Sequence, residues 1–291
     1  MDILKTLLLG IIQGLTEFLP VSSSGHLIIA QTFMGGSPEP EAGSAMFLEV
    51  MLHVATGIAV LFVFRKDIVN IIRGYFSRNS VERKDSLSYS GYVILATIPA
   101  ALVGILLNNQ IDALFDTSKG NTAAYIASFM LFVTAALLIF SSNGINKHSI
   151  NTDGRDVNNT AGINGGMTAV RALLIGVTQA IAIMPGISRS GSTIAVALII
   201  GVAREEAGRF SFMLALPAIF GAALLQARHI ESWGKLVSID IIAGFIASLV
   251  VGVIALKFLL TFIKKGMLHY FGYYCAAAAV VSIAALTFIR R

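Results

Sequence analysis

The sequence predicts an all-α integral membrane protein, with six transmembrane helices plus two re-entrant helical hairpins arranged as an inverted repeat. Three observations predict this class. Of the 291 residues 56% are hydrophobic and 13% are charged, whereas about 25% of a soluble domain is charged. Six apolar segments are long enough to cross a bilayer. Two further apolar segments are interrupted by turn residues, and the motifs of these two segments repeat.

Composition also limits the classes of function. The formal charge is +5, but the basic residues stand between apolar segments, as topology signals do, so a nucleic-acid module is excluded. Cys275 is the only cysteine, which excludes an intramolecular disulfide and with it a secreted disulfide scaffold. The apolar content excludes a disordered chain. We expect a single polytopic membrane domain over residues 1–291.

Six segments come close to the roughly 20 apolar residues that a membrane-spanning helix needs. Pro99 and Pro217 lie inside two of them and predict kinks, because each proline removes a helical hydrogen bond. The segments are approximately residues 45–64, 89–107, 122–140, 210–225, 239–263 and 268–289.

Basic residues orient the chain. If the loop after the first span is cytoplasmic, the loops on that side hold ten Lys and Arg residues and the opposite loops hold three. This excess predicts cytoplasmic loops at about 65–88 and 141–168. The ten are Arg65, Lys66, Arg73, Arg78, Arg83, Lys84, Lys147, Arg155, Lys264 and Lys265, and the three are Lys119, Arg228 and Lys235.

Two apolar segments, at about 3–34 and 169–203, do not fit simple spans. Turn residues break them at 20–25 and 185–191, and each half is too short to cross a membrane alone. A hairpin that enters and leaves by one face satisfies this pattern if protein or a wet cavity surrounds the break. An offset of 166 residues carries Gly10 and Gln13 onto Gly176 and Gln179, and residues 22–25 onto 188–191. We therefore expect two equivalent hairpins, one entering from outside and one from inside, whose breaks meet within the membrane.

An ionisable group inside a bilayer is a functional candidate, and Glu17 is one. Gln13 and Glu17 are four residues apart, so they are neighbours on one helical face. Oxygen ligands at this spacing suit a hard divalent cation, Mg²⁺ or Ca²⁺, which takes further oxygens from water or phosphate. The alternative is a polar pair at a helix end that faces lipid headgroups.

Polar residues at the two breaks suggest anion chemistry. Ser22 can cap a new half-helix, and Ser22 and Ser23 can both share a face with His26, the minimum for a nucleophile with a base. The alternative is a capping serine run beside an interior histidine. At the second break Arg189 can bind phosphate oxygens in a bidentate manner. An ion pair between Arg189 and Glu17 is the alternative reading.

Two further sets of residues complete the candidates. Ser188, Ser190 and Thr193 surround Arg189 in sequence, like the hydroxyls of a phosphate cradle. Glu49 and His53, four residues apart in the first span, either line the cavity or bind each other.

The run from Gln13 to His26, together with the run from Pro185 to Gly191, resembles the undecaprenyl-pyrophosphate phosphatase family that is linked to bacitracin resistance. The resemblance extends over nearly the whole chain. It implies an enzyme of the cell membrane that hydrolyses a polyprenyl pyrophosphate to the monophosphate and phosphate. The reaction recycles the lipid carrier used in peptidoglycan and other cell-wall synthesis. The resemblance also implies an active site open to the outer face.

The resemblance implies roles for individual residues. Ser23 and His26 match the nucleophile and base of the family, and their roles could be exchanged. Glu17 with Gln13 matches its metal element, with glutamine in place of one carboxylate, and Arg189 matches its phosphate-binding arginine. Glu49 and His53 are secondary candidates. Further phosphate-binding positions are Ser22, Ser24, Gly186, Ser188, Ser190, Gly191 and Thr193.

The expected partners are the polyprenyl pyrophosphate lipid and the bilayer, without nucleic acid, and a homodimer is compatible with the sequence. Two other classes of function stay open at this point. Broken helices in repeated halves also occur in transporters, so the chain could move a polyprenyl phosphate without cleaving it. In a structural membrane scaffold, Glu17 and Arg189 would serve folding alone.

Overall fold

The computed structural model describes residues 3–33, 42–115, 121–148, 166–227 and 238–289. The described residues form helices and turns without any strand, which confirms the all-α prediction. Of the predicted basic loop residues, Lys119, Arg155, Arg228 and Lys235 lie outside these ranges. The helices are α1 Ile3–Phe18, α2 Ser23–Phe33, α3 Ala42–Val63, α4 Arg65–Tyr75, α5 Ser80–Leu106, α6 Asn108–Leu114, α7 Thr122–His148, α8 Ala169–Ile181, α9 Arg189–Ile199, α10 Arg204–Ala227, α11 Ile239–Lys264 and α12 His269–Ile289.

Five helices are long and apolar enough to cross a membrane: α5, α7, α10, α11 and α12. The pair of α3 and α4 makes a sixth candidate if the two helices count as one span, although the chain bends by 69° between them. The chain is therefore a multi-pass membrane protein, and the predicted number of six spans is met when this bent pair is included.

The segment 65–88 is mostly helical, where a loop is predicted. Ile68 and Ile71 on α4 pack against the core while Arg65 and Lys66 are exposed, so the charged residues form one face of an amphipathic helix. Asn79 then caps α5 by accepting a hydrogen bond of 3.0 Å from the Val81 N–H. In the predicted loop 141–168, α7 continues to His148, and residues 149–165 lie outside the described ranges.

Both apolar segments with turn residues are broken helices, as the sequence predicts. α1 and α2 have 16 and 11 residues, and α8 and α9 have 13 and 11, so every half is shorter than a span. Left-handed backbone angles stand at both breaks, with φ of 61° at Ser22 and 98° at Gly186. These two residues turn the chain between the halves of each hairpin.

Each hairpin begins one half of the chain, and the two halves correspond. When the shorter helices α4 and α6 are set aside, the described part of each half has five helices. In chain order, those of the first half (α1, α2, α3, α5 and α7) correspond to those of the second half (α8, α9, α10, α11 and α12). α1 packs on α11 and α8 packs on α5, so each hairpin contacts a span of the other half. The equivalent glycines Gly10 and Gly176 allow both contacts, because a side chain there would collide with the Gly244 or the Ala96 backbone. Each half holds three candidate spans when the bent pair is counted, an odd number that fits the predicted inverted repeat.

The two breaks touch each other inside this arrangement. A Cβ atom at Gly25 would lie 2.7 Å from Gly186 Cα, and one at Gly191 would lie 2.9 Å from Pro20 Cβ. The backbones can approach this closely only because glycine stands at both positions. The predicted meeting of the two hairpins is thus present, and it brings the start of α2 against the start of α9.

Substituting Gly25 tests this contact. We expect Gly25→Ala to lower the melting temperature in detergent, because the new methyl group would meet backbone atoms of Gly186, and such overpacking costs about 1–3 kcal/mol. Gly104→Ala is the matched control, since Gly104 is also helical and a Cβ there has nothing within 4 Å. Equal melting temperatures for the two variants would contradict the close packing of the breaks.

Candidate active site

The first functional side chains lie on the last two turns of α1. The Gln13 amide Nε2 donates a hydrogen bond of 3.1 Å to Glu17 Oε2, as expected for residues four apart. The Glu17 side chain is 11% exposed. Phe18 beside it is fully buried, with its ring centroid 5.8 Å from that of Phe212, which anchors the end of α1. Glu17 therefore points into the protein, and the alternative in which the pair faces lipid headgroups does not hold.

Arg189, the first residue of α9, joins the second hairpin to the first. Its Nη2 donates to Glu17 Oε1 in a short ion pair, so the ion pair considered from sequence is present. Its other terminal nitrogen, Nη1, is buried and has no hydrogen-bond partner among the described residues. A buried guanidinium N–H without an acceptor is costly, so Nη1 is a donor that still lacks a partner beside the ion pair.

The hydroxyls around Arg189 hold the first turn of α9. Ser188 caps the helix by accepting a hydrogen bond of 3.2 Å from the Gly191 N–H, and its Oγ lies 3.3 Å from that of Ser190. The Thr193 hydroxyl lies 2.6 Å from the Ser211 hydroxyl of α10 and donates to the Arg189 carbonyl at 2.8 Å. All of these hydroxyls are buried. They are engaged with the protein itself, and their contact with a phosphate stays a prediction.

His26 is held by two polar contacts on the first turn of α2. Its Nδ1 lies 2.8 Å from the Ser22 carbonyl oxygen, which can only accept, so Nδ1 carries the proton. The Tyr274 hydroxyl of α12 lies 3.1 Å from Nε2, and the two rings stack with centroids 5.6 Å apart. In the neutral ring Nε2 is therefore the nitrogen with the lone pair.

The serines of this turn differ in their surroundings. Ser22 is the buried cap of α2, whose hydroxyl accepts a hydrogen bond of 3.3 Å from the Gly25 N–H. The Ser23 hydroxyl makes no hydrogen bond to His26 or to another described residue, and Ser24 is exposed. The predicted contact between Ser23 and His26 is missing, because the imidazole turns towards the Ser22 carbonyl and Tyr274.

Of the two secondary candidates, Glu49 and His53, only the His53 side chain lies near Glu17. His53 Nε2 lies 4.0 Å from Glu17 Oε2, while its Nδ1 lies 2.9 Å from the backbone oxygen of Glu49. Glu49 itself is exposed. His53 thus lines the cluster around Glu17, and the predicted side-chain pair of Glu49 and His53 is replaced by a contact to the Glu49 main chain.

The oxygen atoms near Glu17 can hold only part of a metal coordination shell. No group of three His, Cys, Asp or Glu side chains fit to bind a metal occurs in the described ranges. Mg²⁺ commonly takes one or two protein oxygens and completes its shell with water and substrate phosphate. The Glu17 carboxylate and the Gln13 amide oxygen fit that mode of binding, provided that the Gln13 amide turns its oxygen towards the ion.

Comparison with known proteins identifies the family. The chain matches the family described as bacitracin resistance protein BacA over residues 6–281, nearly its whole length. The chain belongs to the BacA family. The resemblance predicted from the two motifs is thereby confirmed.

Several relatives of this BacA chain carry the name undecaprenyl-diphosphatase. One from Methanobrevibacter smithii is 39% identical, over 97% of this chain and 96% of its own. Another from Korarchaeum cryptofilum is 37% identical over 99% of this chain and 100% of its own. A third, from Christiangramia forsetii, is 37% identical over 99% and 98%. The likeness thus extends over nearly the whole length of each chain.

Sequence reasoning missed Tyr274 and Ser211 of this BacA protein. Both lie in predicted apolar spans, and their only signal is a hydroxyl at membrane depth, which needs a partner there. Their partners, His26 and Thr193, are 248 and 18 residues away in sequence, so only the packing of the helices shows the contacts.

Proposed function

We propose that this chain hydrolyses undecaprenyl diphosphate to undecaprenyl monophosphate and inorganic phosphate, in keeping with its family and with the names of its relatives. The observation that carries this function is the Arg189 guanidinium at the meeting of the two breaks, paired through Nη2 and without a hydrogen-bond partner at the buried Nη1. The reaction recycles a lipid carrier for cell-wall synthesis. The family match favours this hydrolysis over the transport of a polyprenyl phosphate.

Arg189 and the helix ends neutralise the phosphate in this proposal. α2 and α9 begin where the two hairpins touch, and the N-terminus of a helix carries free N–H groups and a partial positive charge. Arg189 adds a full charge that it cannot lose. These groups bind the terminal phosphoryl group, whose charge shifts towards the leaving oxygen during transfer, and their stabilisation acts without rearrangement.

We assign the attack on phosphorus to His26 Nε2, because this nitrogen has the lone pair and no proton. The new N–P bond forms as the bond from phosphorus to the bridging oxygen breaks, and undecaprenyl monophosphate leaves. Water then cleaves the N–P bond and releases phosphate, which restores the imidazole. The Tyr274 hydroxyl must first turn from Nε2 to a phosphate oxygen. Attack by Ser23, with His26 as its base, is the competing assignment.

We propose Mg²⁺ or Ca²⁺ as the cofactor, held by Glu17 and Gln13. When bound, the cation neutralises phosphate oxygens and thereby lowers the charge that the site must accept. Glu17 has a second task, because the same carboxylate fixes Nη2 of Arg189. The pair thus links the position of the cation to that of the arginine.

We also propose that the chain lies in the plasma membrane with this site open to the outer side. Arg65, Lys66 and Arg73 stand exposed on α4, which follows α3 directly. An excess of such residues favours the cytoplasmic side. The predicted homodimer stays a prediction.

Replacing the arginine by lysine tests the function. Lysine keeps the charge but loses the planar pair of donors, so we expect Arg189→Lys to lower kcat by about 100-fold to 1,000-fold. The measurement is phosphate release from undecaprenyl diphosphate in detergent. Arg73→Lys, at an exposed position on α4, should keep the full rate. A wild-type chain that releases no phosphate would refute the function, and a fully active Arg189→Lys would refute the site.

Metal dependence is tested with a chelator and with a variant that adds a carboxylate at position 13. We expect chelation to stop phosphate release and added Mg²⁺ or Ca²⁺ to restore it. Gln13→Glu supplies a second carboxylate, so the cation concentration for half-maximal rate should fall in this variant. The same variant loses the Gln13 hydrogen bond to Glu17, so its melting temperature is measured alongside. Full activity in chelator would rule out the cation.

The nucleophile is identified by the stability of the phosphorylated enzyme. Phosphohistidine is lost in acid and survives in alkali, whereas phosphoserine behaves in the opposite way. With radiolabelled substrate we expect an acid-labile label that Ser23→Ala retains and His26→Ala loses. An acid-stable label that disappears in Ser23→Ala would assign the attack to Ser23 instead.

A further inference from the structure

A broken helix inside a membrane leaves backbone groups that need partners from the protein. At the second break α7 supplies them through one side chain. The Thr134 hydroxyl lies 3.0 Å from the Gly186 carbonyl oxygen and accepts a hydrogen bond of 3.0 Å from the Ser188 N–H. A weaker contact of 3.4 Å leads to Met130 of its own helix. Thr134 is completely buried, so water cannot replace it.

The first break has a corresponding contact. The Cys275 thiol of α12 donates to the Pro20 carbonyl oxygen, with Sγ and O 3.5 Å apart. Pro20 is the residue that the 166-residue offset carries onto Gly186, and α12 is the counterpart of α7. Cys275 and Thr134 therefore reach equivalent carbonyl groups of the two hairpins. Each of them comes from the half of the chain that does not contain the hairpin it contacts.

We propose that Thr134 and Cys275 are a pair of positioning residues that set the two breaks for catalysis. Thr134 fixes the approach to Arg189, and Cys275 fixes the turn between Glu17 and His26. The inference rests on the proposed function, because it concerns the placement of the groups that act on the diphosphate. Neither residue touches the reacting atoms.

Thr134 has the larger effect in this proposal. Its hydroxyl contacts the residues on both sides of Ile187, and Arg189 follows directly. Ser211 of α10 also contacts Thr193, whose hydroxyl donates to the Arg189 carbonyl. The backbone around Arg189 is thus held by contacts to both α7 and α10. Cys275 has one contact through a weak S–H donor, so it contributes less.

The test compares two substitutions at Thr134. Thr134→Ser keeps the hydroxyl, and we expect it to retain kcat within about threefold of the wild type. Thr134→Val has nearly the same shape but leaves the Gly186 carbonyl and the Ser188 N–H buried without a partner. We expect its kcat to fall by about 10-fold to 100-fold with a smaller change in KM, the range that a misplaced group produces.

A matched control separates position from packing. Ser128 lies on the same helix and is completely buried, but its hydroxyl donates only to the Ala124 carbonyl of α7, at 2.7 Å. We expect Ser128→Ala to keep kcat. The positioning role is overturned if Thr134→Val and Ser128→Ala lose activity equally. It is also overturned if Thr134→Ser loses as much activity as Thr134→Val.

Cys275 provides a readout that does not depend on activity. It is the only cysteine, so the protein has a single S–H stretching band in the infrared. We expect that band at the lower frequency of a hydrogen-bonded thiol, and we expect Cys275→Ser to be more active than Cys275→Ala. A band at the free-thiol frequency would overturn the Cys275 contact. A wild-type chain that has the shifted band but cleaves no diphosphate would refute the proposed function and leave the Cys275 contact standing.

Discussion

The ion pair between Glu17 and Arg189 is the interaction on which the rest of the site depends. A charge at membrane depth without a partner is very unfavourable, and these two residues lie 172 positions apart on different hairpins. They can meet only if both hairpins fold back at their breaks and the breaks touch. The glycines at 25 and 186, the caps at the starts of α2 and α9, and the burial of Phe18 all serve that meeting.

The same constraint accounts for the exchange of contacts between the two halves. Each hairpin caps the helix that follows its own break, but one carbonyl group at each break finds its partner elsewhere. A helix of the other half supplies that partner, through Thr134 for one hairpin and Cys275 for the other. The packing of α1 on α11 and of α8 on α5 follows the same rule. Each hairpin therefore depends on the other half of the chain for part of its hydrogen bonding and packing.

Much of this arrangement can be predicted from sequence, because it depends on local chemistry. Pro20 and Pro185 mark the breaks, Ser22 and Ser188 cap the helices that follow, and the spacing of Gln13 and Glu17 places them together. The ion pair between Arg189 and Glu17 can also be predicted, as an alternative to phosphate binding, because a buried arginine needs an anion. What sequence cannot give is the set of contacts between distant helices. His26 faces Tyr274 rather than Ser23, and this depends on where the packing of α12 on α7 places Tyr274.

Amphipathic and polar segments also mislead sequence reasoning. The charges of 65–88 predict a loop, yet α4 packs Ile68 and Ile71 against the core and exposes Arg65, Lys66 and Arg73. Likewise, the hydroxyls near Arg189 predict a site that is free to bind phosphate. The backbone groups at a buried helix start, however, need hydrogen-bond partners from the protein. Ser188 and Thr193 meet that local need before any ligand arrives.

The ion pair with Glu17 allows Arg189 to lie inside a membrane protein and still bind an anion. Glu17 compensates the charge of Arg189 but occupies only Nη2, so Nη1 can take a phosphate oxygen while the ion pair stays intact. The diphosphate, however, brings several negative charges into a cluster whose charged pair sums to zero. Low dielectric makes that excess costly. The two helix ends offset only part of it, because each carries about half a charge. A divalent cation at Glu17 and Gln13 would restore the balance, and this electrostatic need, together with the spacing of the two residues, favours the cation.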